Sequence, residues 1–157
     1  MKNIWFSGFL LIAGTTVFAA SVSNQQAPVK AFALKAKQYV QSYGKYRAIL
    51  AFNNPNGQFR PGGDRYIFAF VCGSKQNDGF NLSDSPAVER QTVFKSVINS
   101  QPFIQRIINS ATSQGNWITY EWNDPLDNKA HVKYSYVIKL PNYQLCIGSG
   151  YYGGVTQ

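Results

Sequence analysis

The sequence predicts an α+β fold, and three observations carry that prediction. The last third, Gly115 to Tyr152, holds three segments in which aromatic or β-branched residues alternate with polar or small ones: GNWITYEW, HVKYSYVIKL and NYQLCIGSGYY. A period of two marks half-buried strands, and turn residues divide them, Asn123-Asp124-Pro125 with Asp127-Asn128, then Pro141-Asn142. The front of the chain instead shows helical periodicity, and a lone strand with two apolar faces lies between. A three-stranded antiparallel meander must bury at least one face, so the upstream elements are read as its cover.

The N-terminal residues 1–20 read as a Sec-type signal peptide. Lys2 precedes the apolar run Ile4 to Ala13, and Thr15 to Ala20 then supplies small residues at cleavage-site spacing. An uncleaved anchor is the alternative, but the run falls short of the ~20 residues a span requires. No later segment is apolar enough to cross a bilayer. The mature chain is therefore expected to be soluble and exported, periplasmic or secreted, as one domain from 28 to 152 with a tail at 153–157.

From Pro28 to about Phe52 the pattern is helical. Val29, Phe32, Ala33, Ala36, Val40 and Tyr43 fall on one stripe, while Lys30, Lys37 and Gln41 lie off it. Gly44 breaks the pattern, and Tyr46, Ile49, Leu50 and Phe52 continue it as a second short helix. The proline- and glycine-rich residues 52–64 form a loop. In the strand Tyr66 to Cys72, Tyr66, Phe68, Phe70 and Cys72 share one face and Ile67, Ala69 and Val71 the other. Both faces are apolar, so the strand is central. A weak strand follows at Phe80 to Leu82, then thin helical character from Pro86 to about Val97. A clearer helix runs from Pro102 to Ala111 with Phe103, Ile104, Ile107 and Ile108 on its apolar face, and Gly115 closes it. The expected sheet has five strands, with the first helix across one face.

Of the 157 residues 45% are hydrophobic, which suits one ordinary core, and the net charge of +8 would fall only to +7 on losing Lys2. Lys and Arg are scattered rather than clustered. Together with the export signal, this argues for a generally basic surface and against a nucleic-acid partner. Cys72 and Cys146 sit in an exported chain, where disulfides form; two cysteines and one histidine cannot complete a structural zinc site without carboxylates. No nucleophile elbow, P-loop or metal-ligand cluster occurs. The expectation is therefore neither an enzyme nor a holder of cofactor or metal.

The order of features resembles a family. The helix with Gly44-Lys45, the loop from Phe52 to Phe59, the strand Tyr66-Ile67-Phe68, and Pro102-Phe103 are similar to a single Cache domain, the PAS-like extracytoplasmic sensor module of bacterial chemoreceptors and sensor kinases. So are Gly115-x-Trp117-x-x-Tyr120-x-Trp122 with Pro125, Lys133-x-x-Tyr136-Val137, and Gly148-Ser149-Gly150-Tyr151-Tyr152. Two departures stand out. The family's Ala-His-Pro is replaced by Ser83-Asp84-Ser85-Pro86, and the chain ends five residues past the last strand rather than leading into a membrane helix, like a stand-alone, soluble Cache domain.

The resemblance implies a five-stranded antiparallel sheet in the order 2-1-5-4-3, with Tyr66–Cys72 beside Gln144–Tyr152. If Tyr66 faces Tyr152, then Cys72 faces Cys146, at the ~4.5–5.5 Å Cβ spacing of opposed residues, and a disulfide is implied. It also implies a ligand site. Trp117, Tyr120, Lys133 and Tyr136 on the meander, with Tyr66 and Phe68 on the central strand, offer an aromatic enclosure with one cation, suited to a small organic acid such as a short carboxylate. Gly148 and Gly150 would leave room on the sheet for it. Strict alternation sets Lys133 and Tyr136 on opposite faces unless the strand bulges. His131 shares the Lys133 face but lies at a strand end, where a surface histidine is expected. The expected function is a sensor or binding module acting through a membrane receptor or sensor kinase. The alternative is a Cache-fold docking or inhibitory protein that binds no ligand.

Overall fold

The computed structural model describes residues 16–74, 78–84 and 102–153. The elements run α1 (Thr16–Tyr43), α2 (Lys45–Asn53), β1 (Phe68–Val71), β2 (Asn81–Ser83), α3 (Pro102–Ser110), β3 (Asn116–Asn123), β4 (Ala130–Leu140) and β5 (Leu145–Tyr152). The five strands form one antiparallel sheet in the order β2-β1-β5-β4-β3, so the chain is α+β, as the sequence and the resemblance led us to expect. The helical character at Pro86 to Val97 lies outside the described residues, as do residues 1–15 and 154–157.

Helix α1 spans Thr16–Tyr43 rather than starting at Pro28, so Pro28 stands inside it. The proline removes one helical hydrogen bond on an exposed stretch of the helix, where Asn24, Gln25 and Ala27 face solvent. The buried stripe is Val29, Ala33, Ala36 and Val40, each with no exposed surface. Two alanines on that face let the helix axis approach the sheet closely, and each valine contributes about 1.5–3 kcal/mol by burial. Gly44 takes φ 80° and ends the helix, a backbone state in which a side chain would be strained. Helix α2 then buries Ala48 and Phe52 and leaves Tyr46 and Leu50 exposed. The 52–64 loop is not merely a connector. Phe59 inserts edge-on against Phe52 at 4.9 Å and Tyr39 at 5.2 Å, between ring centroids.

The core has two halves, one on each face of the sheet. Beneath α1 lie Ile67, Ala69, Ile138, Leu145 and Ile147. On the other face Tyr66, Phe68, Phe70 and Cys72 meet Ile104, Ile107 and Ile108 of α3. Alternation in β1 thus sorts its residues as the sequence indicated.

The β1–β5 register corrects the one inferred from the resemblance. Phe68 faces Gly148 and Phe70 faces Cys146, so the pairing is offset by two residues from Tyr66 opposite Tyr152. Cys72 sits opposite Gln144, whose carbonyl accepts its N–H. Cys72 and Cys146 are nevertheless joined by a disulfide, made diagonally across the two strands with Cα atoms 5.6 Å apart. A slip of two keeps every side chain on its own face, which is why both cysteines still meet.

Candidate functional site

Three residues in register make a transverse row on the α3 face of the sheet: Tyr120 of β3, Lys133 of β4 and Tyr152 of β5. The next row toward the sheet interior contains Ser135 opposite Gly150, and the one beyond it Val137, Gly148 and Phe68. The two glycines of β5 leave a trough along this face. It is not left open for a ligand, as the sequence suggested, because protein side chains lie in it. A Cβ on Gly148 would sit 2.4 Å from the Phe68 ring, and one on Gly150 would sit 3.0 Å from Cε of Lys133. The lysine therefore crosses β5 over Gly150 to reach the Tyr66 hydroxyl, to which its Nζ donates.

Lys133 is 2% exposed. Its ammonium lies 4.3 Å from the centre of the Tyr66 ring, 5.0 Å from that of Tyr152 and 5.5 Å from that of Phe68. Ring faces attract a cation but replace water incompletely. Burial accordingly pulls the Lys133 pKa down to about 8, with the charges of Asp84, Asp64 and Asp124 opposing the shift. Burial also raises the phenols of Tyr66, Tyr120 and Tyr152, so all three remain neutral at ordinary pH. Tyr120 exchanges a 3.0 Å hydrogen bond with Ser135, Tyr152 donates to the Asn123 carbonyl at 2.8 Å, and its hydroxyl lies 3.4 Å from that of Tyr66.

Lys133 borders a cavity of ≈ 30 Å³ between the sheet and α3. One water needs about 10–15 Å³ on this measure, so the space suits two waters or a small acid in their place. Its apolar wall is Phe68, Phe70, Ile104, Ile107, Tyr120 and Trp122, and its polar wall is Asn81, Ser83, Asp84 and Lys133. Strand β2 brings the polar group in. Ser83 Oγ donates to the Ile67 carbonyl at 3.0 Å, and the Arg60 guanidinium holds the Asp84 carbonyl at 2.9 Å and the Phe52 carbonyl at 2.8 Å.

The six ligand residues expected from the resemblance divide into three groups. Phe68, Tyr120 and Lys133 border the cavity. Tyr66 stands behind Lys133 as its hydrogen-bond partner. Trp117 and Tyr136 lie on the opposite face, packed with the α1 half of the core, and do not join them. The reason is the unbroken β3–β4–β5 register: without a bulge, residues 133 and 136 point to opposite sides. Tyr136 packs edge-on against Trp117 at 5.3 Å and donates to the Gln114 carbonyl at 2.7 Å. Asp84, Phe70 and Trp122 line the same cavity, and Tyr152 stands beside Lys133; none was foreseen as a ligand-side residue. Trp122 and Tyr152 were within reach, since they share a face with Tyr120 and Lys133.

A separate group, Asp124, Asp127 and His131, brings three ligand atoms within 4.8 Å at the β3–β4 turn. Its hydrogen bonds shape that turn: Asp124 accepts from the Leu126 N–H at 2.9 Å, Asp127 from the Lys129 N–H at 2.9 Å, and His131 bonds Asp127 at 2.7 Å. His131 is thus a strand-end residue oriented by a turn carboxylate.

The sequence pattern of the Cache domain matches residues 57–154. The chain belongs to the Cache family. Among solved structures, this Cache domain is similar to a methyl-accepting chemotaxis protein from Vibrio parahaemolyticus RIMD 2210633. That similarity has a TM-score of 0.63 and 17% identity, and covers 85% of this chain and 92% of the other. It is also similar to the periplasmic sensor domain of a chemotaxis protein, with a TM-score of 0.52, 15% identity and coverage of 85% and 98%. No curated protein matches the sequence. Among the described residues, no helix of this Cache domain is long and apolar enough to cross a membrane.

Proposed function

We propose that this Cache domain is an exported sensor module that binds a small carboxylate at Lys133, performs no catalysis and delivers its occupancy to a membrane receptor or sensor kinase. The observation that carries the reading is the lysine itself. A charged group buried without a full set of partners destabilises the fold, and an anion in the adjoining cavity would supply the missing one. The cavity is small, which limits a ligand held there to a short carboxylate. Export is supported by the apolar run after Lys2 and the small residues up to Ala20, and by the disulfide. The intact mass of the exported chain tests it: a species beginning after Ala19, Ala20 or a few residues later is expected, and one retaining Met1 refutes it.

The binding reading is tested by a thermal-shift screen of short mono- and dicarboxylates against their neutral amides. A ligand at ~100 times its Kd adds about 2.7 kcal/mol of stability. Acids that stabilise where their amides do not support the reading. A screen without any acid hit sinks it and leaves the docking alternative. That alternative has its own observation in the exposed Tyr43, Tyr46 and Leu50, at 54%, 86% and 73%, around the α1–α2 junction.

A further inference from the structure

The two helices that cover the sheet form a layer of one sign. Between them α1 and α2 carry Lys30, Lys35, Lys37, Lys45 and Arg47 and no Asp or Glu, and all seven acidic residues of the chain lie at Asp64 or beyond it. Among the described residues, none of these five cations pairs with a carboxylate. Lys30 and Lys35 lie over the Tyr136 and Phe59 rings, and Lys37 donates to the Ser113 carbonyl. At the α1–α2 junction the same layer also carries exposed apolar side chains. Helix α2 turns Ala48 and Phe52 into the core, so Tyr46 and Leu50, one turn apart, project outward with most of their surface in solvent. Exposed Arg47 and half-exposed Lys45 flank Tyr46, and Tyr43 is exposed at the end of α1.

A second copy of the chain is a poor occupant for this face, because two layers of the same sign repel. An acidic protein would neutralise the cations, but these are spread along both helices rather than gathered into a pocket. Spread charge suits the smeared potential of a lipid surface better than a few fixed carboxylates. The apolar groups fit the same occupant: tyrosine rings settle at the headgroup level, leucine reaches the acyl boundary, and Lys and Arg meet the phosphates. We infer that the α1–α2 face docks on an anionic phospholipid surface, with Tyr46 and Leu50 seated in the headgroup layer. The Lys133 cavity lies on the other side of the sheet, beneath α3, so docking leaves it facing away from the bilayer. Docking would also keep the module beside the membrane partner proposed above, and it does not depend on what the cavity binds.

The exported protein is sedimented with vesicles of phosphatidylcholine alone and of phosphatidylcholine with an equal part of phosphatidylglycerol. Wild type is expected to bind the mixed vesicles about tenfold more tightly, and to leave them as salt is raised. Two variants test the face: Tyr46→Ser with Leu50→Ser, and Lys45→Gln with Arg47→Gln. Each should weaken binding to the mixed vesicles about tenfold. Arg106→Gln with Lys129→Gln removes the same charge from exposed positions on α3 and the β3–β4 turn, and should leave binding near the wild-type level. If that control loses as much as Lys45→Gln with Arg47→Gln, net charge alone is at work and the face is not the docking site. No preference for the mixed vesicles, or binding that survives Tyr46→Ser with Leu50→Ser, overturns the inference outright. A dimer in analytical ultracentrifugation that Tyr46→Ser with Leu50→Ser abolishes would give the face to a second copy instead. Poly-glutamate bound as tightly as the mixed vesicles would give it to an acidic protein.

Discussion

Replacing Lys133 by methionine should make the ligand-free protein more stable, although it deletes a hydrogen bond and three ring contacts. The lysine pKa falls from 10.5 to about 8, chiefly through burial. That fall corresponds to about 3 kcal/mol against the charged form in the folded state. Because the folded pKa is the lower one, the cost is present in full below pH 8. Between pH 8 and 10.5 the unfolded chain still binds a proton that the folded chain has released, so stability rises with pH across that window. Methionine has a similar length and fits the same path over Gly150 without the charge. Against that gain stand the Tyr66 hydrogen bond and the contacts of the ammonium with Tyr66, Phe68 and Tyr152. The net expectation at pH 7 is a gain of about 1–3 kcal/mol for Lys133→Met. Urea unfolding of both proteins from pH 7 to pH 10 measures it. Tyr66, Tyr120 and Tyr152 titrate in both, so the quantity to follow is the difference between the two proteins. That difference should shrink as pH rises through 8. A variant less stable than wild type at pH 7, with a gap that does not change with pH, would refute the reasoning. It would mean that the rings and the Tyr66 hydroxyl solvate the ammonium fully, and that the site has no need of an anion.

Three further outcomes follow from the same geometry. Carboxylate affinity should be flat below pH 8 and fall about tenfold per pH unit above it, because the anion pairs only with the protonated lysine; calorimetric titrations giving equal affinity at pH 7 and 9.5 would exclude that pairing. Gly150→Ala places a Cβ 2.6 Å from Ser135 Oγ and 2.7 Å from the Tyr134 carbonyl, so it should destabilise the fold by about 1–3 kcal/mol and weaken binding by displacing Lys133; unchanged affinity would show that the lysine need not cross β5. Removing the disulfide by Cys72→Ala with Cys146→Ala opens a loop of 74 residues and should cost up to about 4 kcal/mol in denaturant unfolding; an unchanged midpoint would contradict the bridge.

The sequence alone determined the parts that depend on short-range periodicity. The stripe of Val29, Ala33, Ala36 and Val40 is legible because a helix repeats every three to four residues. The meander is legible because strands repeat every two, and the same rule separated Lys133 from Tyr136 before any coordinates. Tertiary structure decided what periodicity cannot see. A two-residue slip between β1 and β5 leaves every face unchanged, so no pattern of alternation distinguishes the inferred register from the one in which Phe68 faces Gly148. The role of the glycines was decided the same way: a missing side chain reads as empty space in one dimension, yet Phe68 and Lys133 lie in that space. Asp84 lies in a segment that stood out only as a departure from the family pattern, with no periodicity to place its side chain. Its place at the cavity depends on Arg60 in a distant loop, Ser83 bonded to the Ile67 carbonyl, and Lys133 arriving from a strand two positions away in the sheet from β1. Charges that meet only across long separations in sequence leave no period behind, so only the folded chain brings them together.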